Sequence, residues 1–394
     1  MSDPVKVMLV AVEASADALG AGLATALRQR LGPEGVTFVG VGGAKMTAQG
    51  LASPFDIAEL SLVGLFEIAG SVPRALRLAR ETVRLAQREA PDVAVLIDSW
   101  FFMWLIGGWM RWRAPGLPLI KYVAPQVWAT RPGRARSAAR IFDHMMTLFA
   151  FEPRYFEAEG LPTTFVGNPT LNRDVSAADP DRWRRSIGVA GDQPILLVLP
   201  GSRRSELKRI LPAFEDAAMR LKDRWPGLEV AVLAAETVSS EVKARVAGWR
   251  HRAHVVEGEA DKLDAMRAGT VALTKSGTAT TELALAGCPM VVGYRAHPAT
   301  ALVARALMKV PFLTLFNIAA GEAVAPELLQ ERCNGAELAA SAAMLLEDPE
   351  RRRAQAAAQT AALAKLGANL PDPFGAAADV VVKVLAEWEQ AVTR

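Results

Sequence analysis

The feature that most constrains the fold is an alternation of short β-branched runs with longer helical stretches, which stops once and then starts again. In the first half Val5–Val12, Val36–Val41, Val93–Ile97, Leu119–Val123, Met145–Leu148 and Thr164–Val166 read as strands, separated by helical stretches such as Leu19–Leu31 and Arg74–Ala90. Asn168 to Gln193, rich in Asp, Arg, Pro and Gly, breaks the pattern. It resumes with Ile195–Leu199, Leu228–Leu233, His254–Val256, Val271–Thr274 and Met290–Gly293. Such alternation marks parallel sheets covered by helices. The expected fold is α/β, with two Rossmann-like doubly wound domains facing across a cleft and ligands at the carboxyl ends of the strands. The expected boundaries are 1–170 for the first domain, 171–193 for a linker, 194–368 for the second domain, and 369–394 for a final helix that crosses back or is exchanged.

Length and composition agree with two cores. The chain has 394 residues, 51% hydrophobic and 22% charged, which suits two ordinary domains and excludes a disordered chain. A net charge of +3 lacks the density of a nucleic-acid binder but leaves room for local basic patches. Cys288 and Cys333 cannot form a disulfide framework, as expected of a reducing cytoplasm. The first residues run straight into a strand without an apolar leader segment, so no signal peptide is expected. The uncharged stretch from Ser99 to Met110 falls far short of the roughly 20 residues a membrane span needs. The four histidines are scattered, and no metal or other cofactor is expected.

Several loops between a strand and a helix carry residues suited to anions. Glu13-Ala14-Ser15-Ala16-Asp17 follows the first strand; it offers backbone N–H groups to an anion, or Ser15 or Asp17 caps the next helix. Gly40-Val41-Gly42-Gly43-Ala44-Lys45 fails the dinucleotide pattern, because the third glycine would fall at Lys45. It is a tight loop facing phosphate or sugar, or only a turn. Pro200-Gly201-Ser202-Arg203-Arg204-Ser205-Glu206 places hydroxyls and forked guanidinium donors where a diphosphate can bind without metal, or it is a basic helix start. Lys275-Ser276-Gly277-Thr278-Ala279-Thr280-Thr281-Glu282 follows a strand and opens a helix. Ser276, Gly277 and Thr278 suit phosphate oxygens there and Glu282 suits ribose hydroxyls, or the segment is a capping-box variant.

Asp98 ends an apolar strand, a place for a general base or for a helix cap. Beyond it lie Trp100, Phe101, Phe102, Trp104, Trp109 and Trp112 on a helix apolar nearly all round, followed by Arg131, Arg134, Arg136 and Arg140. Lipid or acyl contact with an anionic surface or a substrate phosphate is one reading. Core packing beside a solvated basic helix is the other.

Taken in order, Glu13–Asp17, Val39–Gly43, Pro91–Asp98, Tyr122–Ala129, Leu199–Arg203, Ser276–Thr278 with Glu282, Pro289–Arg295 and Pro326–Gln330 resemble the lipid-A-disaccharide synthase family, inverting glycosyltransferases of the GT-B type. The resemblance spans roughly residues 5–335. It implies transfer of 2,3-diacylglucosamine from UDP to the 6-hydroxyl of 2,3-diacylglucosamine 1-phosphate, giving a β-1,6 disaccharide and UDP. The implied partners are a UDP-acyl-sugar donor, a phosphorylated acyl-sugar acceptor and an anionic membrane surface, with no nucleic acid. A cytoplasmic protein peripheral on the inner membrane is implied, as is a homodimer.

Carried onto this chain, the family's pattern makes Asp98 the base and assigns Ser202, Arg203, Ser276, Gly277 and Thr278 to the diphosphate. It gives Glu282 to the ribose, and Arg295 and Asn317 to the donor side. Glu13, Ser15, Asp17 and Gly43 fall in acceptor-side loops, and Trp100, Trp104, Trp109, Trp112, Arg131 and Arg134 are candidates for membrane or acyl contact.

The chain also departs from that pattern. Val12 and Ala16 stand at two glycines of the first loop, and Trp100–Met103 replace Pro-Asp-Phe-Asn. Thr130 replaces a tryptophan, Asn168 a histidine and Phe316 a proline. The donor half is nearly intact and the acceptor half is altered. Three other readings therefore stand beside the first: a paralogue with another lipid acceptor, a UDP-sugar 2-epimerase of the same architecture, and a non-catalytic membrane scaffold that binds UDP-sugar.

Overall fold

The computed structural model describes residues 3–57, 68–189, 191–297, 301–302, 308, 310–368 and 370–393. The chain forms two compact units, Met1–Pro169 with Leu370–Arg394, and Thr170–Asn369.

The first unit holds a six-stranded parallel sheet of β1 (Val5–Val10), β2 (Val36–Val41), β3 (Val93–Ile97), β4 (Leu119–Tyr122), β5 (His144–Thr147) and β6 (Thr163–Phe165), in the order β2-β1-β3-β4-β5-β6. The central strand β3 is a continuous apolar run buried on both faces, every residue of Val93–Ile97 fully enclosed. Alternation still sorts the two faces. Val7, Leu9, Val95 and Ile97 meet the helices Ala14–Leu31 and Pro373–Thr393. Met8, Val10, Ala94 and Leu96 meet the helices Ile68–Glu89 and Trp100–Arg113. The latter buries Phe102, Met103, Ile106 and Met110, worth roughly 2 kcal/mol each on area grounds.

The second unit repeats the plan with β7 (Ile195–Leu199), β8 (Glu229–Leu233), β9 (His254–Val256), β10 (Val271–Thr274), β11 (Met290–Tyr294) and β12 (Glu327–Leu329), in the order β12-β11-β10-β7-β8-β9. Helices Arg204–Arg224 and Gly335–Glu347 share a core with Leu196, Val198 and Leu273. Helix Pro349–Leu366 shows how these sequences punctuate themselves. Asp348 accepts from the Glu350 and Arg351 amides, Pro349 opens the first turn, and Gly367 closes the helix at φ 97°.

Every strand read from sequence is present, with ends shifted by two residues or fewer. Strand β12 and helix Leu315–Ala320 were not anticipated, because three and six residues are too few to show a period. The first helix starts at Ala14 rather than Leu19. Ala16 is a far better helix former than the glycine it stands for, so the loop becomes the first turn. Residues 171–193 include helix Pro180–Ser186, whose Arg182 donates to Asp264 at 2.5 Å and to Asp261 at 2.7 Å, with Trp183 buried.

Gly40 pairs with Leu9 across the first sheet at φ 138°, and a Cβ there would lie 1.9 Å from the Leu9 carbonyl oxygen. Gly40→Ala is therefore expected to cost about 2 kcal/mol or more, read as a lower urea midpoint with an unchanged slope; a midpoint equal to wild type would show that the strands separate without penalty.

Candidate functional site

In each sheet two neighbouring strands sit where the winding reverses, β1 beside β3 and β7 beside β10. Ligands of open α/β sheets bind outside the carboxyl ends of such strand pairs. The loops there are Ala11–Glu13 and Asp98–Ser99 in the first unit, and Pro200–Arg203 and Lys275–Gly277 in the second.

In the second unit Leu199 pairs with Thr274, so the two loops leave the sheet side by side. They border a cavity of about 250 Å³ whose lining includes Gly201, Ser202, Lys275, Thr278, Glu282 and Arg173, with Leu199, Leu233 and Met266 as an apolar wall. Helices Arg204–Arg224 and Thr278–Leu285 begin at these loops, and their first turns attract negative charge. A carboxylate from the chain lies against one of them. Glu206 accepts from the Ser202 amide at 3.3 Å and from Lys275 Nζ at 3.1 Å. Gly201 allows this at φ 118°, since a Cβ would fall 2.6 Å from Glu206 Oε2. Glu282 lies one turn into its helix and accepts from Arg173 at 2.8 Å, while Arg173 also reaches Glu259 at 3.1 Å. Burial pushes the Glu282 carboxyl above the usual glutamate range, and Arg173 opposes that rise.

Of the donor-side residues read from sequence, Ser202, Thr278 and Glu282 line the cavity, and Gly277 caps the helix that follows. The Arg203 side chain is 80% exposed, 4.0 Å from Glu206. Ser276 donates to the Leu313 carbonyl at 3.2 Å. Asn317 is wholly buried, donating to Ala325 O and Glu327 Oε1 and accepting from the Ala325 amide. Glu327 in turn accepts from the Leu313 and Thr314 amides. Asn317 thus supports, through Glu327, the segment that Ser276 touches. Arg295 donates to the carbonyls of Gln330 and Cys333, at 3.3 and 2.8 Å, and holds that turn.

In the first unit Asp98 is half-buried at the end of β3, with its backbone at φ 55° and that of Ser99 at φ 36°. Both are left-handed, a strained state for residues with side chains that recurs at functional sites. Asp17 and Gly43 prove to be partners of one another. The Asp17 carboxylate accepts from the amides of Gly43, Lys45 and Met46 at 2.8, 3.0 and 3.1 Å. It caps the short helix Ala44–Thr47, rather than its own helix as the sequence suggested. Glu13 and Ser15 are exposed at the start of the first helix.

Helix Trp100–Arg113 leaves Phe101, Trp104 and Trp112 at 73%, 39% and 77% exposure along one stripe. Trp100 and Trp109 are half-buried. The Arg134 guanidinium lies 5.8 Å from the Trp100 ring and that of Arg113 lies 5.4 Å from the Trp112 ring. Arg131, at φ 51°, repels Arg134, whose guanidinium is lowered by burial first and by that repulsion second.

The family model of lipid-A-disaccharide synthetase matches residues 7–370. Lipid-A-disaccharide synthases of Rhodospirillum centenum and Paramagnetospirillum magneticum are each 41% identical, covering 98% of this chain and 96% and 98% of theirs. The chain belongs to the lipid-A-disaccharide synthase family. It is accordingly a glycosyltransferase by family. Its fold is shared at TM-score 0.62 with a UDP co-structure of S. aureus MnaA, 15% identical over 99% of this chain and 98% of that one. It is shared at 0.63 with the kitacinnamycin glycosyltransferase, 17% identical over 98% and 100%.

The departures from the family pattern now have places. Val12 and Ala16 are buried in opposite cores of the first sheet and Phe316 in the second unit, so these exchanges add packing. Among the described residues no helix is long and apolar enough to cross a membrane.

Glu206 and Lys275 stood in the two loop motifs without a role of their own, and Arg173, Lys121 and Glu152 were not singled out from sequence. Lys121 had a signal, being one charge inside an apolar strand. Glu152 had none, because its partner lies in another loop. Glu152 accepts from Trp128 Nε1 and from the Phe149 amide, both at 3.1 Å, and so fixes the loop after β4. Burial pushes its carboxyl up to about 7, with the two donors opposing.

A carboxyl raised by folding stabilises the folded state when protonated. That contribution is full below the ordinary value of 4.5 and is lost as pH rises through about 7. Stability measured from pH 5 to 7 should therefore fall in wild type by up to about 3 kcal/mol relative to Glu152→Gln, and parallel pH curves would contradict this.

Proposed function

We propose that the chain transfers 2,3-diacylglucosamine from UDP to the 6-hydroxyl of 2,3-diacylglucosamine 1-phosphate, forming the β-1,6 lipid A disaccharide and releasing UDP. The observation that carries the donor half is the single cavity bordered by Gly201, Ser202, Lys275, Thr278 and Glu282. Two helix starts and a lysine suit a diphosphate, a carboxylate one turn in suits the ribose hydroxyls, and the Leu233 and Met266 wall suits a flat base. Neighbours of the same fold whose structures hold UDP or UDP-glucose support a nucleotide sugar. The first unit is the acceptor domain in this reading, and the second is the UDP-sugar domain.

In the reaction Asp98 removes the proton of the 6-hydroxyl as that oxygen attacks the anomeric carbon. The bond from that carbon to the UDP oxygen breaks, its electron pair leaves with the β-phosphate, and the configuration inverts. Among the described residues no side chain donates a hydrogen bond to the Asp98 carboxylate, which leaves it open to a hydroxyl. The Ser202 amide, Lys275 and the two helix starts stabilise the charge on departing UDP, with Arg203 beside them. The exposed Phe101, Trp104 and Trp112, with Arg113, Arg131 and Arg134 close to that helix, suit a protein peripheral on the anionic inner face of a membrane.

UDP release from UDP-2,3-diacylglucosamine in detergent micelles should require diacylglucosamine 1-phosphate and yield a disaccharide. Asp98→Asn should lower kcat by about a hundredfold or more while leaving UDP affinity intact. Donor binding without turnover would defeat the assignment and point to another acceptor or to a scaffold. Because Glu282 takes up its proton at higher pH than an ordinary glutamate, UDP affinity should weaken early as the medium is acidified. Glu282→Gln should cost about tenfold in affinity and abolish that acid sensitivity; an unchanged pH dependence would remove Glu282 from the ribose.

A further inference from the structure

One residue of the first unit has no part in the reading above and is costly to keep. Lys121 is the third residue of β4, and its side chain is completely enclosed. An ammonium in such a place demands partners. It has three: Nζ donates to the carbonyls of Asp98 at 2.8 Å, Tyr122 at 2.9 Å and Val123 at 3.0 Å. One ammonium has three N–H groups, so its donors and these acceptors match one for one.

Those carbonyls belong to the two strand ends that leave the sheet in strained conformations. Asp98, Ser99 and Val123 lie at φ 55°, 36° and 72°. A valine at positive φ is a steric outlier held only by its surroundings. The Asp98 amide, meanwhile, donates to the Tyr122 carbonyl at 2.9 Å, so β3 and β4 are still paired where both chains turn. Lys121 thus closes a cap over the ends of β3 and β4, and Asp98 is part of it.

We propose that Lys121 is a positioning residue for Asp98: its buried ammonium ties the carbonyls of Asp98, Tyr122 and Val123 together, fixing the left-handed backbone that sets the Asp98 carboxylate in place. The inference rests on the reading of Asp98 as the base. Burial pulls the Lys121 ammonium down to about 7, and among the described residues the charge of Asp98 opposes that fall. A neutral amine has only two hydrogens for three carbonyls, so the cap is complete only in the charged form.

The test uses the full chain with Lys121→Met, Lys121→Arg and, as control, Asp98→Asn, in the acceptor-dependent UDP-release assay. Thermal melting and UDP affinity report folding. Lys121→Met should lower kcat by about tenfold to a hundredfold with donor KM and UDP affinity held within about twofold. Lys121→Arg keeps donors for the three carbonyls and should recover part of kcat, again with donor KM unchanged. Wild-type kcat in folded Lys121→Met, or a reduced kcat that Lys121→Arg does not recover in any part, would overturn the proposal while Asp98 stays the base. If Lys121→Met does not fold, Lys121→Arg decides: a folded variant with kcat as low as that of Asp98→Asn would overturn it, and a kcat above that level with donor KM unchanged supports it. An active Asp98→Asn would defeat both this inference and the reading beneath it.

Discussion

Two parallel strands that lie side by side but send the chain to opposite faces of their sheet leave a gap at their carboxyl ends that neither following helix can cover. In the first unit β1 leads into helix Ala14–Leu31 on one face, and β3 leads through Asp98 into Trp100–Arg113 on the other. In the second, β7 leads into Arg204–Arg224, which packs with Leu196 and Val198, while β10 leads into Thr278–Leu285, which packs with Pro349–Leu366. The polar loops of this chain are tied to those gaps because backbone amides freed there have no strand to bond.

Each gap has its own electrostatic solution. In the second unit Glu206 accepts from Ser202 and Lys275, and Glu282 from Arg173, so an anionic ligand meets cations already oriented by the chain's own carboxylates. Such preorganisation spares a site the cost of arranging charges when the ligand arrives. In the first unit the polar group is a fully buried lysine whose hydrogens are spent on carbonyls, that of Asp98 among them. The exposed aromatic stripe of helix Trp100–Arg113 starts at Phe101, three residues beyond Asp98. In the proposed reading the base and the surface for acyl chains adjoin at the start of one helix.

The fold was legible because strands buried on both faces are predominantly apolar, and eleven short β-branched or apolar runs stand out between helical stretches. The same rule that revealed them also marks its exception: Lys121 in Leu119–Tyr122 is a charge where none can be solvated. Short elements such as Glu327–Leu329 stayed hidden, since three residues carry no period.

Residue types and their order along the chain determined the α/β class, the strands, the family and the donor-side loops, because these follow from local propensity, hydrophobic period and short contiguous motifs. Which residue serves which was decided by tertiary structure. Asp17 holds Gly43 from a different strand's loop, Glu152 holds Trp128, Glu327 joins Asn317 to the segment that Ser276 touches, and Lys121 holds Asp98. A hydrogen bond depends on atoms within about 3 Å, and only the order of the strands brings such distant parts of the chain that close.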